Sequence, residues 1–343
     1  MKASYHKYIL DFKQPSGTSR GILRQKETWF LILEKEGKKG IGECGILRGL
    51  SRDDRPDYEE ALAWVVENIQ LGEEKLYEKL TEFPSIQIGV EMAFRSLQAE
   101  DPFVLYPSAF TQQQKEIPIN GLIWMGQEDF MLTQIEEKLA QGFDCIKMKV
   151  GAIDFEKECH LLAQIRKRFT ADEIVLRVDA NGAFGDDAME KLNRLAHYDL
   201  HSIEQPIAVG QWKQMQQLCA QSPIDIALDE ELIGVFSLEE KKRLLENLQP
   251  QYIILKPSFV GGFRGTREWK VLADSQGIGS WVTSALESNV GLNAIAQWTA
   301  TQDFNGPQGL GTGSLYINNF SGPLTVKNGY LGYDATQAWQ FHL

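Results

Sequence analysis

Three acidic residues recur at one interval in the middle of the chain. Asp179, Glu204 and Asp229 lie 25 residues apart, about the length of one strand–helix unit. Each one ends a short apolar segment and is followed by polar or turn-forming residues. The carboxyl ends of successive parallel strands meet on one face of a barrel. We therefore expect these three carboxylates to converge.

Converging carboxylates repel one another unless a cation lies between them. Oxygen ligands without histidine or cysteine suit a hard cation, so we expect Mg²⁺, with Mn²⁺ as the second choice. The alternative is that each acid only caps the helix after its strand, which the equal spacing of three acids disfavours. We expect the polar residues just after the acids to orient them as ligands; these are Asn181, Gln205 and Glu230.

Lysines flank the three acids along the chain. Lys147 and Lys149 alternate with apolar residues and would point to the same side of a strand. Lys256 follows the apolar segment after Asp229. We expect a metal ion and a neighbouring ammonium group to lower the pKa of a lysine, which makes it a usable general base. With a metal on the substrate's carboxylate, this arrangement suits removal of the proton α to that carboxylate.

The acids and lysines fall within a regular alternation of strands and helices. From Ile117 onward, apolar segments of strand length alternate with amphipathic segments, which predicts eight strands and seven helices. The predicted strands are 117–122, 145–150, 174–179, 201–204, 225–229, 252–256, 280–284 and 308–311. Eight such strands in sequence predict closure into a parallel barrel.

The N-terminal third has a different pattern. Strands are predicted over 2–13 and 26–36, and the helical segments come after them, which is typical of an α+β unit. We therefore predict an α/β protein with a modified TIM barrel, (β/α)7β, and an N-terminal α+β capping domain. The capping domain is expected at 1–105 and the barrel at 106–315. A C-terminal segment, 316–343, is expected to pack back on the capping domain.

The composition limits the classes of partner. The chain has 343 residues and a net charge of −12, which argues against nucleic acid. No segment has the roughly 20 apolar residues of a membrane-spanning helix, and four scattered cysteines favour reduced thiols. We expect a cytoplasmic protein with a small-molecule carboxylate as substrate and no nucleic-acid or membrane partner. The oligomeric state stays open.

The motifs together resemble the enolase superfamily, in its muconate-lactonizing subgroup. They cover most of the chain and are Lys147-x-Lys149, Asp179-Ala180-Asn181, Glu204-Gln205-Pro206, Asp229-Glu230 and Lys256-Pro257. The resemblance implies a capped barrel and an enediolate intermediate stabilised by Mg²⁺. It does not fix the reaction, because racemases, epimerases, cycloisomerases and dehydratases share these motifs.

Within the subgroup, the chain resembles the o-succinylbenzoate synthase family of menaquinone biosynthesis. Three segments carry this resemblance, namely 17–21, 284–292 and 309–313. It implies a dehydratase that converts 2-succinyl-6-hydroxy-2,4-cyclohexadiene-1-carboxylate (SHCHC) to o-succinylbenzoate. Lys149 would remove the proton α to the ring carboxylate and then help the β-hydroxyl leave. Lys256 would stabilise the anionic intermediate, and Lys147 would keep Lys149 reactive and touch the carboxylate.

Five residues are candidates for binding the substrate. Ser284 lies after the seventh predicted strand, and Gly309 and Gly311 belong to the eighth, where glycines suit backbone contacts to an anionic tail. A simple barrel-closing turn explains these glycines equally well. Ser19 and Arg20 belong to loop 14–24, which we expect to act as a lid. An exposed loop arginine is at least as good an interpretation of Arg20.

Other functions stay open at the level of sequence. An N-succinylamino acid racemase or a dipeptide epimerase would use Lys149 and Lys256 as bases on opposite faces of the substrate. Dipeptide epimerases carry an acidic pair, Asp-x-Asp, on the eighth strand, and no acid stands in 308–314 here. A non-catalytic barrel that binds a ligand is the alternative from another class, but a binding protein has no need of a base.

Overall fold

The N-terminal part of the chain forms an antiparallel sheet packed on helices. The computed structural model describes residues 1–18, 21–124, 126–151 and 153–343. Three strands pair in chain order, namely β1 (Lys2–Thr18), β2 (Gly21–Lys35) and β3 (Lys38–Gly45). The helices that follow are α1 (Tyr58–Glu67), α2 (Glu73–Lys79) and α3 (Pro84–Gln98). The sheet is buried on both faces, because Trp29 packs toward these helices and Phe30 toward the barrel.

The first two strands are longer than the sequence predicts. We expected a loop over 14–24, but pairing resumes at Ser16 with Leu23 and continues to Thr18 with Gly21. The register of the β1–β2 pairing shifts between Asp11 and Ser16. β1 therefore continues through an irregularity around Pro15, where we expected it to end. A proline lacks the N–H needed in a regular ladder, and a bulge accommodates it.

The larger part of the chain is a parallel sheet surrounded by helices. Seven strands are hydrogen-bonded in chain order; they are β5 (Gly121–Ile123), β6 (Cys145–Lys149), β7 (Val175–Asp179), β8 (Ser202–Glu204), β9 (Ile226–Leu228), β10 (Tyr252–Leu255) and β11 (Gly279–Val282). The helices of this part are α4 (Glu128–Ala140), α5 (Phe155–Arg168), α6 (Ala188–Leu195), α7 (Trp212–Gln221), α8 (Leu238–Leu248), α9 (Gly262–Ser275) and α10 (Asn289–Ala300). Each helix carries the chain back to the end of the sheet at which the next strand begins, as parallel strands require.

The barrel closes through short contacts and not through a full eighth strand. The predicted strand 308–311 is reduced to two parallel bridges, Ile119 with Gln308 and Thr283 with Gly309. The side-chain oxygen of Gln308 accepts a hydrogen bond from the backbone N–H of Val282 at 2.8 Å. This side chain therefore satisfies a backbone group of β11 that a neighbouring strand would otherwise bond. Gly309 permits the close approach, because an added Cβ would lie 2.5 Å from Thr283 Oγ1.

The predicted first strand of the barrel is split. β4 (Ile117–Pro118) pairs with β13 (Tyr330–Tyr333), which also pairs with β12 (Leu324–Lys327), and only β5 joins the parallel sheet. Near the C-terminus, Phe320 and Phe341 pack their rings on Phe30 of β2, with centroids 5.2 and 5.3 Å away. The domain boundaries at residues 105 and 315 stay predictions.

The cysteines and the apolar character of the helices can also be compared with the sequence expectations. Cys44, Cys145, Cys159 and Cys219 are all buried and none is in a disulfide. Within the described ranges, no helix combines the length and the apolar character needed to cross a bilayer.

Candidate active site

Acids and lysines meet at the carboxyl ends of the parallel strands. Lys149 is paired with Asp179 across β6 and β7, and Asp179 with Glu204 across β7 and β8. Asp229 directly follows β9, and Lys256 directly follows β10. Asp179 and Glu204 are each 1% exposed. The structure therefore brings together side chains that are far apart in sequence and buries the carboxylates.

Each lysine is ion-paired with the acids. The ammonium group of Lys147 donates hydrogen bonds to Glu204 Oε2 at 2.7 Å and to Asp179 Oδ2 at 3.2 Å. Lys149 donates to the same Asp179 oxygen at 2.9 Å. Lys256 contacts Asp229, and its Nζ lies 3.9 Å from Glu204 Oε1. Lysines thus approach the carboxylates from the β6 side and from the β10 side.

Burial and repulsion disturb the titration of the acids. Burial raises the pKa of Glu204 to about 7, and the Asp179 carboxylate adds to that shift. Burial also raises the pKa of Asp229. Burial would raise the pKa of Asp179 as well, but the Lys149 and Lys147 ammonium groups outweigh it and hold that pKa below its ordinary range. The cluster contains an electrostatic conflict of the kind that a bound cation relieves.

The pKa values of two lysines shift in the direction opposite to our expectation. Burial lowers the pKa of Lys147, but attraction by Glu204 and Asp179 outweighs it, so the net shift is upward. The same balance, with Asp229 as the main attracting group, raises the pKa of Lys256 to about 12. The reason is that each ammonium group is attracted by more than one acid of the cluster. A cation bound to the carboxylates would weaken this attraction and lower both pKa values.

The donor set fits a hard divalent cation. Asp179, Glu204 and Asp229 offer only oxygen, which Mg²⁺ prefers. No donor in the described part of the chain forms a hydrogen bond to the buried Oε1 of Glu204, so this oxygen has capacity for a ligand. One oxygen of each acid contacts a lysine, namely Asp179 Oδ2, Glu204 Oε2 and Asp229 Oδ2. Among the described residues, no cluster of three acidic, histidine or cysteine side chains is arranged to hold a metal. Metal binding would require the carboxylates to rotate away from the lysines.

The predicted supporting residues lie directly behind the acids. Asn181 accepts a hydrogen bond from Lys149 Nζ at 2.5 Å and donates to Glu230 Oε1 at 3.0 Å. The side-chain oxygen of Gln205 accepts from the backbone N–H of Asp229 at 3.2 Å. Asn181 and Gln205 have positive φ angles of 44° and 38°, so the chain turns sharply after two of the acids. These contacts hold the strand ends in place.

A cavity of about 190 Å³ lies beside the lysines. One part of its wall is apolar, with Leu47, Leu122 and Trp124 among its residues. Another part is small and uncharged, and comprises Thr283, Ser284, Ala285, Leu286, Gly309, Gly311 and Thr312. Three of the predicted substrate-binding residues, Ser284, Gly309 and Gly311, therefore line the cavity that the lysines face. The other two, Ser19 and Arg20, lie outside the described residues.

The sequence analysis missed buried acids that fasten the loops around the cavity. Glu231 accepts hydrogen bonds from Gln205 Nε2 at 3.1 Å and Trp212 Nε1 at 2.8 Å. Glu287 accepts from the hydroxyl groups of Ser258 at 2.5 Å and Ser284 at 2.6 Å. Glu287 is the one charged residue in 280–292, which is a sequence signal, whereas Glu231 is the last of three consecutive acids and does not stand out.

Comparison with known proteins identifies the family. Residues 131–336 match the enolase C-terminal domain-like family. An o-succinylbenzoate synthase from Desulfotalea psychrophila is 46% identical, over 97% of this chain and 99% of the relative. The chain belongs to the enolase superfamily, in the o-succinylbenzoate synthase family.

Solved structures extend this likeness to the fold of the whole chain. The crystal structure of MenC from Desulfotalea psychrophila superposes with a TM-score of 0.86 at 42% identity and covers 97% of this chain and 99% of that one. The L-Ala-D/L-Glu epimerase from Bacillus subtilis gives a TM-score of 0.82 at 20% identity, covering 97% and 96%, which is a likeness of fold alone. The modified TIM barrel with an N-terminal capping domain is thereby confirmed.

One further relative catalyses a different reaction. An N-succinylamino acid racemase from Thermus thermophilus is 28% identical, over 87% of this chain and 82% of the racemase. Membership of the superfamily therefore leaves more than one reaction to be tested.

Proposed function

We propose that the protein is a Mg²⁺-dependent dehydratase that converts SHCHC to o-succinylbenzoate in menaquinone biosynthesis. The observation that carries the proposal is an uncharged wall of the cavity that the lysines also line. No acid occurs among its described residues, from Thr283 to Leu286 and from Gly309 to Thr312, so this wall has no partner for a substrate ammonium group. It suits SHCHC, which has no ammonium group, better than a dipeptide, which has one. The 46% identical synthase supports the same reaction.

In the proposed reaction, Lys149 acts first as base and then as acid. Its amine takes the proton from the ring carbon next to the carboxylate, and the electron pair of that C–H bond moves into an enediolate. The pair then returns to form the new ring double bond while the β C–O bond breaks. Lys149 gives its proton to the departing hydroxyl, so the products are o-succinylbenzoate and water. For one lysine to serve both steps, the α-proton and the β-hydroxyl must lie on the same face of the ring, within its reach.

The other two lysines have supporting roles in this proposal. Lys256, on the far side of the carboxylates, holds positive charge near the ring while the enediolate exists. Lys147 lies 2.7 Å from Glu204 and 3.2 Å from Asp179, and in this proposal it keeps Lys149 reactive and contacts the substrate's carboxylate. The side chains of Lys147 and Lys256 are only 8% and 13% exposed. Their charges therefore act in surroundings of low dielectric constant, where electrostatic interactions are strong.

The residues that would hold Mg²⁺ are Asp179, Glu204 and Asp229. When bound, the cation supplies positive charge that stabilises the negative charge developing on the substrate's carboxylate. Asn181, Gln205 and Glu230 would keep the ligands oriented through the contacts described above. The same proposal implies a cytoplasmic enzyme with a small carboxylate substrate.

A substrate panel tests the proposal. The purified protein with Mg²⁺ is given SHCHC, a set of N-succinylamino acids and a set of dipeptides, and kcat/KM is compared. We expect o-succinylbenzoate to form with the highest kcat/KM. Turnover confined to dipeptides, or no turnover of SHCHC, would refute the assignment.

N-succinylamino acid racemization is the second candidate. It is favoured by lysines on both sides of the carboxylates and by the 28% identical racemase. Incorporation of deuterium from D₂O into both enantiomers of an N-succinylamino acid, at a kcat/KM above that for SHCHC, would make racemization the principal activity.

A further inference from the structure

A strained turn forms part of the cavity wall. Leu286 follows β11, lines the cavity and has a φ of 63°. A bulky residue is rare in this left-handed region and stays there only when its surroundings hold it. Two bonds hold it directly, because its N–H donates to Ser284 Oγ at 3.0 Å and its C=O accepts from Tyr316 at 2.6 Å.

The far end of this turn is held by a residue of the N-terminal sheet. Glu43 on β3 is 2% exposed, and its Oε1 accepts a hydrogen bond from the Ser288 N–H at 2.9 Å. Its Oε2 accepts from the Ser288 hydroxyl at 2.5 Å and from the Gly291 N–H at 2.8 Å. Thr28 on β2 also donates to Glu43, at 3.0 Å. One carboxylate from the capping part thus fixes the start of α10.

The same turn is connected to the side chains at the cavity. Glu287, next to Ser288, accepts from Ser284 Oγ at 2.6 Å and from Ser258 Oγ at 2.5 Å. The Thr312 hydroxyl donates to Ser284 Oγ at 2.9 Å. Displacement of Ser288 would therefore move Glu287, and with it the hydroxyl groups that face the substrate.

We propose that Glu43 is a positioning residue that sets the shape of the substrate-facing wall from behind. It holds Ser288 and Gly291, and through them keeps Leu286 in its left-handed conformation and Ser284 at the cavity. Docking of the N-terminal sheet then fixes the barrel's substrate wall. The effect on turnover rests on the proposed function; the effect on the turn does not.

Glu43→Gln tests this proposal with little change in side-chain size. The amide nitrogen cannot accept a hydrogen bond, so one of the two backbone bonds, from Ser288 or from Gly291, is lost in either orientation of the amide. The matched control is Ser237→Ala, which removes the N-cap of α8 at a site away from the cavity. We expect backbone amide exchange in 284–291 to be at least tenfold faster in Glu43→Gln and unchanged in the control.

Turnover of SHCHC supplies the second readout. We expect Glu43→Gln to raise KM about tenfold and to keep kcat within about threefold, because the wall binds substrate and Lys149 is untouched. A purely structural defect would lower the amount of active enzyme and reduce kcat at constant KM. Unchanged exchange in 284–291, or unchanged KM with faster exchange, would overturn the proposal.

A second variant and the exchange measurement cover the cases in which Glu43→Gln does not fold or the wild type does not turn over SHCHC. If Glu43→Gln does not fold, Tyr316→Phe removes only the bond to the C=O of Leu286 and should speed exchange in the same segment; unchanged exchange there would count against the proposal. If the wild type does not turn over SHCHC, the proposed function fails, and the exchange result alone decides whether Glu43 holds the wall.

Discussion

Replacement of Lys147 by methionine tests whether the three carboxylates form a cation site. Lys147 is 6% exposed and bonds to both Glu204 and Asp179. Methionine has a similar length without the charge, so the variant leaves two carboxylates buried side by side. Removal of one partner from a buried ion pair costs about 3–5 kcal/mol. We expect the free energy of unfolding at pH 8, without divalent metal, to fall by about that amount.

Mg²⁺ should stabilise Lys147→Met more than it stabilises the wild type. In the wild type, the ammonium group and the cation compete for the same oxygens of Glu204 and Asp179. A tenfold lower Kd for Mg²⁺ in the variant adds about 1.4 kcal/mol of stabilisation at excess metal. Urea unfolding with and without Mg²⁺, followed by tryptophan fluorescence, measures this difference.

The control for this experiment is another buried lysine. Lys241 is 1% exposed and pairs with Glu268 at 2.7 Å, on α8 and α9. Lys241→Met should lose stability but show the wild-type response to Mg²⁺. An equal Mg²⁺ response in wild type and Lys147→Met would refute the reasoning, because it would mean that Mg²⁺ does not bind at these carboxylates.

Three further predictions follow from other parts of the structure. Removal of divalent metal with a chelator should abolish turnover of SHCHC and added Mg²⁺ should restore it; turnover in chelator would contradict the ligand set. Burial lowers the pKa of His201 to about 4 from 6.5, so the unfolded state binds more protons between these values and stability falls as pH drops through them. Allowing for partial exposure, the loss is about 1–2 kcal/mol, and urea unfolding of His201→Gln should lack this pH dependence. Gly309→Ala should cost about 1–3 kcal/mol, because the new Cβ would lie 2.5 Å from Thr283 Oγ1; in thermal unfolding, adding Thr283→Ala should recover part of the loss.

The fold and the convergence of charged residues could be predicted because both depend on spacing. A 25-residue interval from Asp179 to Glu204 and on to Asp229 is a property of the βα unit. The alternation in Lys147-x-Lys149 is a property of a strand. Patterns of this kind are local, and one sequence is enough to show them.

What the sequence could not predict depends on contacts between distant segments. Glu43 and Gly291 are 248 positions apart and bond across the two parts of the molecule. The predicted eighth strand is reduced to two bridges, beside which the Gln308 side chain accepts from the Val282 N–H, and no periodicity in the sequence indicates this. The direction of the pKa shift in Lys147 depends on how many carboxylates surround it, and that number is a property of the folded site.

Lys149 is the residue proposed to move the protons in a metal-dependent dehydration. The most direct test of this role is SHCHC turnover by Lys149→Ala with excess Mg²⁺, together with the Mg²⁺-induced shift in melting temperature. We predict a loss in kcat of at least about 10²-fold, with the melting-temperature shift retained. Turnover near the wild-type rate in a folded, Mg²⁺-responsive variant would show that Lys149 does not transfer the protons.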